Sequence, residues 1–275
     1  MKIIESFIKG KISKEKCEDR LVISDNFIAV IDGVSSKSPY LDNGKTTGNI
    51  AAGLIEDVIE NMRKETSLKE FISLVNRAYE EYYIHSSFAL DIERYGLQAM
   101  AVVYSDYEKK IWLIGDCVAI VQDDYYTNPK LSDTVLEELR SLKAHIDLQN
   151  NTVSEEDYFN QNEAARKFIE PIIVESTIFA NDDNTRWGYS VLNGKDIPIS
   201  LCKIIDVDEN DTVILASDGY PYVYKSLKET EENLEKVINK DPYFYKDFIS
   251  TKGLKPGQIS YDDRTYVKFE VQNGR

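Results

Sequence analysis

The sequence has few of the residues on which several classes of protein depend. Only three of its 275 residues are cysteines, Cys17, Cys117 and Cys202, and they lie far apart. Their spacing does not fit a zinc site, and a disulfide framework needs more of them, so we expect reduced thiols. Histidine is also scarce, with His85 and His145 alone. Both histidines fall in segments with helical periodicity, and we expect neither to be catalytic.

Long hydrophobic runs and an excess of basic residues are also lacking. No apolar run approaches the roughly 18 residues that a membrane span needs. The opening stretch MKIIESFIKGK has too short an apolar run for a signal peptide and is interrupted by Glu5. There are 33 lysines and arginines against 48 acids, a net charge of −15. This balance disfavours binding to nucleic acid or to an anionic membrane, and we predict a cytoplasmic protein that binds neither.

What is present is typical of a folded, water-soluble domain. Hydrophobic residues make up 42% of the chain and charged residues 29%. The sequence contains no internal repeat, low-complexity tract or Pro/Gly-rich linker. We therefore predict one domain that spans residues 1–275.

The order of predicted elements indicates the fold class. Apolar runs predict strands, and a stripe of apolar residues at helical spacing predicts helices in 49–64, 68–82 and 226–239 and through much of 129–180. The predicted strands are 3–10, 20–24, 27–32, 99–105, 110–116, 119–122, 199–206, 212–217 and 264–271. This order lacks the regular βαβ rhythm of a parallel sheet. It predicts an α+β fold in which mainly antiparallel sheets pack together between layers of helices.

Four acidic residues stand where apolar runs end. Asp32 follows FIAVI, Asp116 follows KIWLIG, Asp218 follows VILAS, and Asp262 precedes the last predicted strand. Each acid by itself is explained by a turn or a solvated strand end. Together they suggest a compensated cluster, because burial of a carboxylate costs free energy unless its charge is balanced. Hard oxygen ligands of this kind suit Mg²⁺ or Mn²⁺ rather than Zn²⁺.

The stretch CEDRLVISDNFIAVIDG predicts which two acids face each other. Asp25-Asn26 is a good two-residue hairpin turn between two apolar runs. If Ser24 pairs with Phe27, Asp19 lies opposite Asp32, and Glu18 lies opposite Gly33. Like charges about 5 Å apart on paired strands destabilise a sheet. The hairpin therefore predicts either a bound cation or a shared proton at this position.

The order of these motifs resembles that of the metal-dependent serine/threonine phosphatases of the 2C type, the PPM family. The shared motifs are a Glu-Asp pair, a strand that ends Asp-Gly, a Gly-Asp, an Ala-Ser-Asp-Gly, and an Asp-Asp before Thr and a last strand. They correspond to CEDRLVISDNFIAVIDG, IWLIGDC, LASDGY and YDDRTYV and extend over nearly the whole chain. The resemblance implies a sandwich of two antiparallel β-sheets flanked by helices. It also implies hydrolysis of phosphoserine and phosphothreonine in proteins or peptides by a metal-bridging hydroxide.

The resemblance also implies a set of site residues. Asp32 would bridge two Mn²⁺ or Mg²⁺ ions, with Asp218 and Asp262 on one of them. The second ion would take Glu18, Asp19 directly or through water, and the carbonyl of Gly33. Asp32 and Asp218, with Lys14 as the cation that binds the phosphate, would form the catalytic set.

Four departures from the family pattern stand out. The usual phosphate-binding arginine is replaced by Lys14, a point charge without the bidentate fork. Val34 stands where many relatives have a histidine, so the general acid is not assigned, and Cys117 follows Asp116 in place of serine. A third ion would share Asp116 and Asp218, but Tyr222 replaces its remaining aspartate, which argues against it.

Two other functions remain open from the sequence. The loss of the arginine favours a phosphatase-like module that binds metal or phosphopeptide, with weak turnover or none. The stretch NGKTTG, residues 43–48, suggests a nucleotide hydrolase, but a phosphate loop needs a glycine where Pro39 stands. We therefore expect Gly44-Lys45-Thr46 to be a helix start.

Overall fold

Antiparallel β-sheets form the centre of the molecule. The computed structural model describes residues 1–35, 37–150 and 153–272. In chain order, its strands are β1 (Lys2–Lys9), β2 (Asp19–Ile23), β3 (Phe27–Gly33), β4 (Ala99–Ser105), β5 (Lys110–Ile114), β6 (Val118–Val121), β7 (Asp124–Thr127), β8 (Lys203–Asp206), β9 (Thr212–Ala216) and β10 (Arg264–Glu270). One sheet has the order β1-β10-β9-β6-β7 and the other the order β2-β3-β4-β5-β8. Neighbouring strands in both sheets pair antiparallel, as the sequence predicts.

Five of the seven described helices begin at a side-chain cap. They are α1 (Thr47–Asn61), α2 (Leu68–His85), α3 (Ile92–Tyr95), α4 (Leu131–Asn150), α5 (Glu155–Gln161), α6 (Ala164–Glu175) and α7 (Leu227–Lys240). The Thr46 hydroxyl accepts a hydrogen bond from the Asn49 amide, so Thr46 is a helix cap, as expected. Ser67 and Glu70 form a reciprocal capping box that fixes the start of α2.

Alternate residues of β3 pack into two different cores. Ala29 and Ile31 lie with Ile55 of α1 and Phe71 of α2, on the helix-covered face. Ile28, next to them along the strand, packs between the two sheets. A third core lies between α7 and the outer face of the first sheet. Because both faces of the central strands are covered, their residues are apolar without alternation, and the predicted layers of two sheets between helices are confirmed.

Two predictions of local structure need correction. Residues 199–206 are not one strand: Ile199–Leu201 form a 3₁₀ turn, and β8 follows at Lys203–Asp206. The sequence pattern does not predict strand β7 (Asp124–Thr127), because a four-residue edge strand with one exposed and one half-buried tyrosine gives little hydrophobic pattern. Across the described residues, no helix is both long and apolar enough to span a membrane.

Candidate metal centre

The β2–β3 hairpin places two carboxyl groups side by side. The Ser24 amide bonds the Phe27 carbonyl, and Asp19 pairs with Asp32, which confirms the register predicted from the two-residue turn. Strand β3 continues into the centre of its sheet, where Asp32 also faces Met100 of β4. The hairpin therefore delivers two acids to one edge of the sandwich.

Asp32, Asp116 and Asp218 meet at this edge, and we call them the open carboxylate group. Asp32 lies at the end of β3, and Asp116 and Asp218 follow β5 and β9, so the group draws on both sheets. Each offers a carboxylate oxygen, and these oxygens all lie within 4.8 Å of one another. Gly115 makes the turn that directs Asp116 inward: its φ is +81°, and a Cβ there would lie 2.1 Å from the sulfur of Met100.

Electrostatics makes the open carboxylate group costly to ionise. Burial, followed by the charge of Asp218, raises the pKa of Asp116 to about 7. Burial, followed by the charge of Asp262, raises the pKa of Asp218, and burial with the charge of Asp218 raises that of Asp32 strongly. The Asp218 Oδ1 atom is buried and has no hydrogen-bond partner among the described residues. Such an orphaned oxygen in a carboxylate cluster is a coordination position that protein groups leave unused.

Glu18, Asp262 and Asp263 form a second set, which we call the lysine-paired group. The ammonium of Lys11 lies 3.1 Å from Glu18 Oε2, 3.0 Å from Asp262 Oδ1 and 3.3 Å from Asp263 Oδ2. Lys252 pairs with the other oxygen of Asp262. Burial alone would raise the pKa of Asp262, but the charges of Lys252 and Lys11 outweigh it and hold that pKa below its ordinary value. This set is neutralised by the chain's own cations.

Hydrogen bonds complete the lysine-paired group. The amide of Lys11 donates to Asp263 Oδ1 over 2.7 Å, and the amide of Glu18 donates to Asp263 Oδ2 over 3.0 Å. The Thr46 hydroxyl donates to Glu18 Oε1 over 2.6 Å, and the Ser35 hydroxyl donates to Glu18 Oε2 over 2.9 Å. Each carboxylate of this group thus has several donors, whereas the open carboxylate group has an oxygen with none.

Asp19 belongs to neither group. It is 1% exposed, and its Oδ2 accepts 2.7 Å hydrogen bonds from the hydroxyls of Ser217 and Thr265. Burial raises its pKa to about 8, against the opposing effect of these two hydroxyls. Asp19 therefore ties the hairpin to β10 and to the residue that precedes Asp218.

Gly33 is required by the close approach of two backbone segments. A Cβ at this position would lie 2.3 Å from the Gly48 carbonyl oxygen and 2.7 Å from that of Glu18. The amide of Gly33 donates to the Glu18 carbonyl over 3.2 Å. The contact seats the first turn of α1 against the end of β3 and brings Thr46 to Glu18.

Lys14 and Tyr222 are not among the residues that line the cavity beside these acids. Lys14 is exposed on the turn between β1 and β2, and Tyr222 is 52% exposed. Lys11, three residues before Lys14, carries the ammonium group that reaches the acids. Val34 does line the cavity and offers no proton there.

The cavity has a volume of about 360 Å³. Carboxylates of Asp32, Asp116, Asp218 and Asp262 share its lining with the cationic side chains of Lys37, Lys130, Arg166 and Lys252 and the acid Glu137. The sequence pattern predicts neither these four cationic residues nor Glu137. They come from α4, α6 and irregular loops, where no strand-end pattern marks them.

The open carboxylate group fits one divalent cation. Three clustered oxygen donors and an orphaned buried oxygen provide the hard ligands that Mg²⁺ and Mn²⁺ prefer. The positions expected to hold a second ion fit less well. Of these, Glu18 is engaged by Lys11 and by the hydroxyls of Thr46 and Ser35, and Asp19 by two hydroxyls. Asp262, expected beside Asp218 on the first ion, is paired with Lys11 and Lys252 instead.

Comparison with solved structures supports the fold assignment. The serine/threonine phosphatase Stp1 from Staphylococcus aureus superposes with a TM-score of 0.50 at 15% sequence identity, covering 100% of this chain and 96% of that one. The PPM Ser-Thr phosphatase MsPP from Mycobacterium smegmatis, in complex with cacodylate, gives 0.48 at 13% identity over 99% and 100%. The PstP/Ppp phosphatase from Mycobacterium tuberculosis gives 0.47 at 14% identity over 98% of each chain. Comparison of the sequence with family models gives no match, and neither does comparison with curated proteins.

The chain has the α+β fold of the PPM-type serine/threonine phosphatases. The resemblance inferred from the motifs is confirmed at the level of fold, at an identity that by itself does not transfer activity.

Proposed function

We propose that the protein is a metal-dependent phosphatase that hydrolyses phosphoserine and phosphothreonine in proteins or peptides. The observation that carries this proposal is the open carboxylate group, in which Asp32, Asp116 and Asp218 converge with an orphaned buried oxygen. These residues would hold Mn²⁺ or Mg²⁺. A divalent ion bound there would lower the pKa of a coordinated water and polarise a phosphoryl oxygen.

The cavity supplies the groups that bind a phosphate dianion. Lys37, Lys130, Arg166 and Lys252 line it beside the carboxylates, in a chain whose net charge is −15. Lys130 is partly neutralised by Asp133 at 3.5 Å, and Arg166 donates to the Thr251 carbonyl over 2.7 Å. Cations gathered next to a metal site stabilise the charge on the phosphoryl oxygens during transfer. Lys14 stays a prediction as a further phosphate contact.

Glu137 is suited to protonate the leaving group. It lines the cavity, and burial together with the charge of Asp133 raises its pKa to about 7. A carboxylic acid that keeps its proton near neutral pH can donate it to the alkoxide that leaves phosphorus. Many relatives have a histidine where this chain has Val34, which cannot donate a proton. Glu137 would serve as the general acid in its place.

The alternative function is a phosphopeptide-binding module without turnover. The observation that favours it is the pairing of Lys11 with Glu18, expected on the second ion, and of Lys11 and Lys252 with Asp262, expected on the first. The two-ion arrangement, with Glu18, Asp19, Gly33 and Asp262 as further ligands, stays a prediction. Turnover distinguishes the two functions.

The test is phosphate release from phosphoserine, phosphothreonine and phosphotyrosine peptides with Mn²⁺, Mg²⁺ or EDTA. We expect metal-dependent release from the first two peptides and its loss in Asp32→Asn and Asp218→Asn. Asp25→Asn, at the exposed far end of the same hairpin, is the matched control and should keep full activity. Binding of the phosphopeptides without release would support the module instead, and neither binding nor release would refute both functions.

A further inference from the structure

Lys11 occupies the centre of the lysine-paired group. Its ammonium group donates hydrogen bonds to Glu18, Ser35 and Asp262, at 3.1, 3.0 and 3.0 Å. An ammonium has three N–H donors, so all of them are used. The side chain is only 14% exposed, and the backbone of the same residue is held by Asp263 and by the Ile259 amide, which donates to the Lys11 carbonyl over 3.0 Å. Lys11 is thus fixed at both ends.

Lys252 reaches the same acids from the other side. It pairs with Asp262 Oδ2 while Lys11 holds Asp262 Oδ1, so both oxygens of this carboxylate face an ammonium group. The Lys252 side chain is 28% exposed and lines the cavity beside the open carboxylate group. Two cations from separate loops therefore converge on one acid.

Charge balance distinguishes the two groups. The lysine-paired group has three acids and two lysines. The open carboxylate group has three acids, and no ion pair within the described ranges involves any of them. A single divalent cation in the open carboxylate group would bring it to the same net charge as the lysine-paired group. A further divalent ion beside Glu18 and Asp262 would have to displace Lys11 from three oxygens or lie against its ammonium, where like charges a few ångströms apart repel strongly.

We propose that Lys11 and Lys252 replace a divalent ion in the lysine-paired group, so that the chain binds one divalent cation, at Asp32, Asp116 and Asp218. The proposal rests on the proposed function only in taking the open carboxylate group as a metal site. It assigns Lys11 and Lys252 a resident structural and electrostatic role in place of the second metal.

The direct test is the number of Mn²⁺ ions bound per full-length chain. Equilibrium dialysis against Mn²⁺ with elemental analysis gives the stoichiometry, and electron paramagnetic resonance distinguishes an isolated Mn²⁺ from a coupled pair. We expect one ion with the spectrum of an isolated Mn²⁺. Two ions of comparable affinity with a coupled spectrum would overturn the proposal and leave the proposed function standing. No bound ion would overturn both.

The Lys11→Met variant tests whether the charge of Lys11 is what excludes a second Mn²⁺ ion. Methionine keeps the length of the stem and removes the charge, so a second Mn²⁺ should bind at least about tenfold more tightly than to the wild type. Lys16→Met is the control, because Lys16 is exposed on the same turn, and it should bind one ion. Failure of Lys11→Met to take up a second ion would show that the lysine does not exclude it. If the variant does not fold, the wild-type stoichiometry still decides the proposal.

Discussion

Two sets of acids lie side by side in this site and solve the same electrostatic problem differently. In the lysine-paired group, Glu18, Asp262 and Asp263 are neutralised by ammonium groups and ordered by hydrogen bonds. In the open carboxylate group, the acids repel one another, their pKa values are raised, and one buried oxygen has no donor. The first set is balanced largely by groups of the chain itself, and the second is a group of acids that could hold a metal ion.

The difference shows how one edge of the sandwich can contain both a group that stabilises the fold and a group suited to bind a cation. The lysine-paired group connects the chain's two ends: Lys11 follows β1, and Asp262 and Asp263 precede β10, the strand that pairs with β1. Such contacts hold the edge together without an ion. The open carboxylate group lies at the ends of strands that are already held in place by packing in the hydrophobic cores. This packing offsets the repulsion between the three carboxylates.

The largest expected effect comes from removal of an acid of the open carboxylate group. Asp32→Asn should lower kcat/KM for Mn²⁺-dependent hydrolysis of p-nitrophenyl phosphate by at least about a hundredfold, since even an outer partner of a metal ligand is worth about 10- to 100-fold. Steady-state kinetics at saturating Mn²⁺ measures it. Asp25→Asn should match the wild type. Retention of activity by Asp32→Asn would remove the open carboxylate group from the mechanism.

In the lysine-paired group, the largest expected effect is a loss of stability when a lysine is removed. Lys11→Met leaves Glu18, Asp262 and Asp263 short of a buried positive charge, and loss of one partner of a buried ion pair costs about 3 kcal/mol. Urea unfolding at pH 7 in EDTA measures the free energy of unfolding, and Lys16→Met should change it by less than about 0.5 kcal/mol. Saturating Mn²⁺ should restore part of the loss in Lys11→Met. An unchanged free energy of unfolding in EDTA would mean that these contacts add nothing to stability.

Without metal, removal of an acid from the open carboxylate group should raise the free energy of unfolding, whereas removal of Lys11 should lower it. Asp116→Asn removes one of three charges that repel one another, so we expect a gain of about 1 kcal/mol in the free energy of unfolding at pH 8 in EDTA. With saturating Mn²⁺ the variant should be less stable than the wild type, because it lacks a ligand. Urea unfolding under both conditions measures the reversal. Destabilisation in EDTA would contradict the contrast between the two groups.

The strand framework of the site could be predicted because it depends on local rules. A two-residue turn at Asp25-Asn26 fixes the hairpin register and hence the pairing of Asp19 with Asp32. Acids next to apolar runs predicted a cluster of Asp32, Asp116, Asp218 and Asp262. The structure brings the first three together, whereas Asp262 pairs with two lysines. The layered fold followed from the same runs.

The cations of the site could not be predicted for a physical reason. Lys11 and Lys252 lie in irregular segments near opposite ends of the chain, and their meeting depends on how two loops pack, as in the bond from the Ile259 amide to the Lys11 carbonyl. Neither residue has a periodic pattern or a turn that fixes its direction. The resemblance predicts Lys14 as the phosphate-binding cation, but Lys14 is exposed on the turn between β1 and β2.

The smallest expected effect is a pH dependence of the melting temperature in the metal-free protein. Folding raises the pKa of Asp116 from its ordinary value near 4 to about 7, and raises those of Asp32 and Asp218 as well. Between these values the folded state binds more protons than the unfolded state, so stability falls as pH rises. From pH 5 to pH 7 in EDTA we expect a fall of roughly 3–6 °C, measured by calorimetry.

Saturating Mn²⁺ should flatten this fall, because the ion compensates the charges that deprotonation creates. Asp116→Asn in EDTA should flatten it in part, whereas Asp25→Asn should not. Lys37 also titrates here, since burial lowers its pKa to about 7, but its effect lies above pH 7, where stability rises as the unfolded state holds its proton more tightly. The interval from pH 5 to pH 7 therefore reports acids with raised pKa values, and Asp19 at about 8 and Glu137 at about 7 add to the open carboxylate group with the same sign. A melting temperature in EDTA that stays constant or rises over this interval would show that the open carboxylate group carries no such strain, and the contrast with the lysine-paired group would fail.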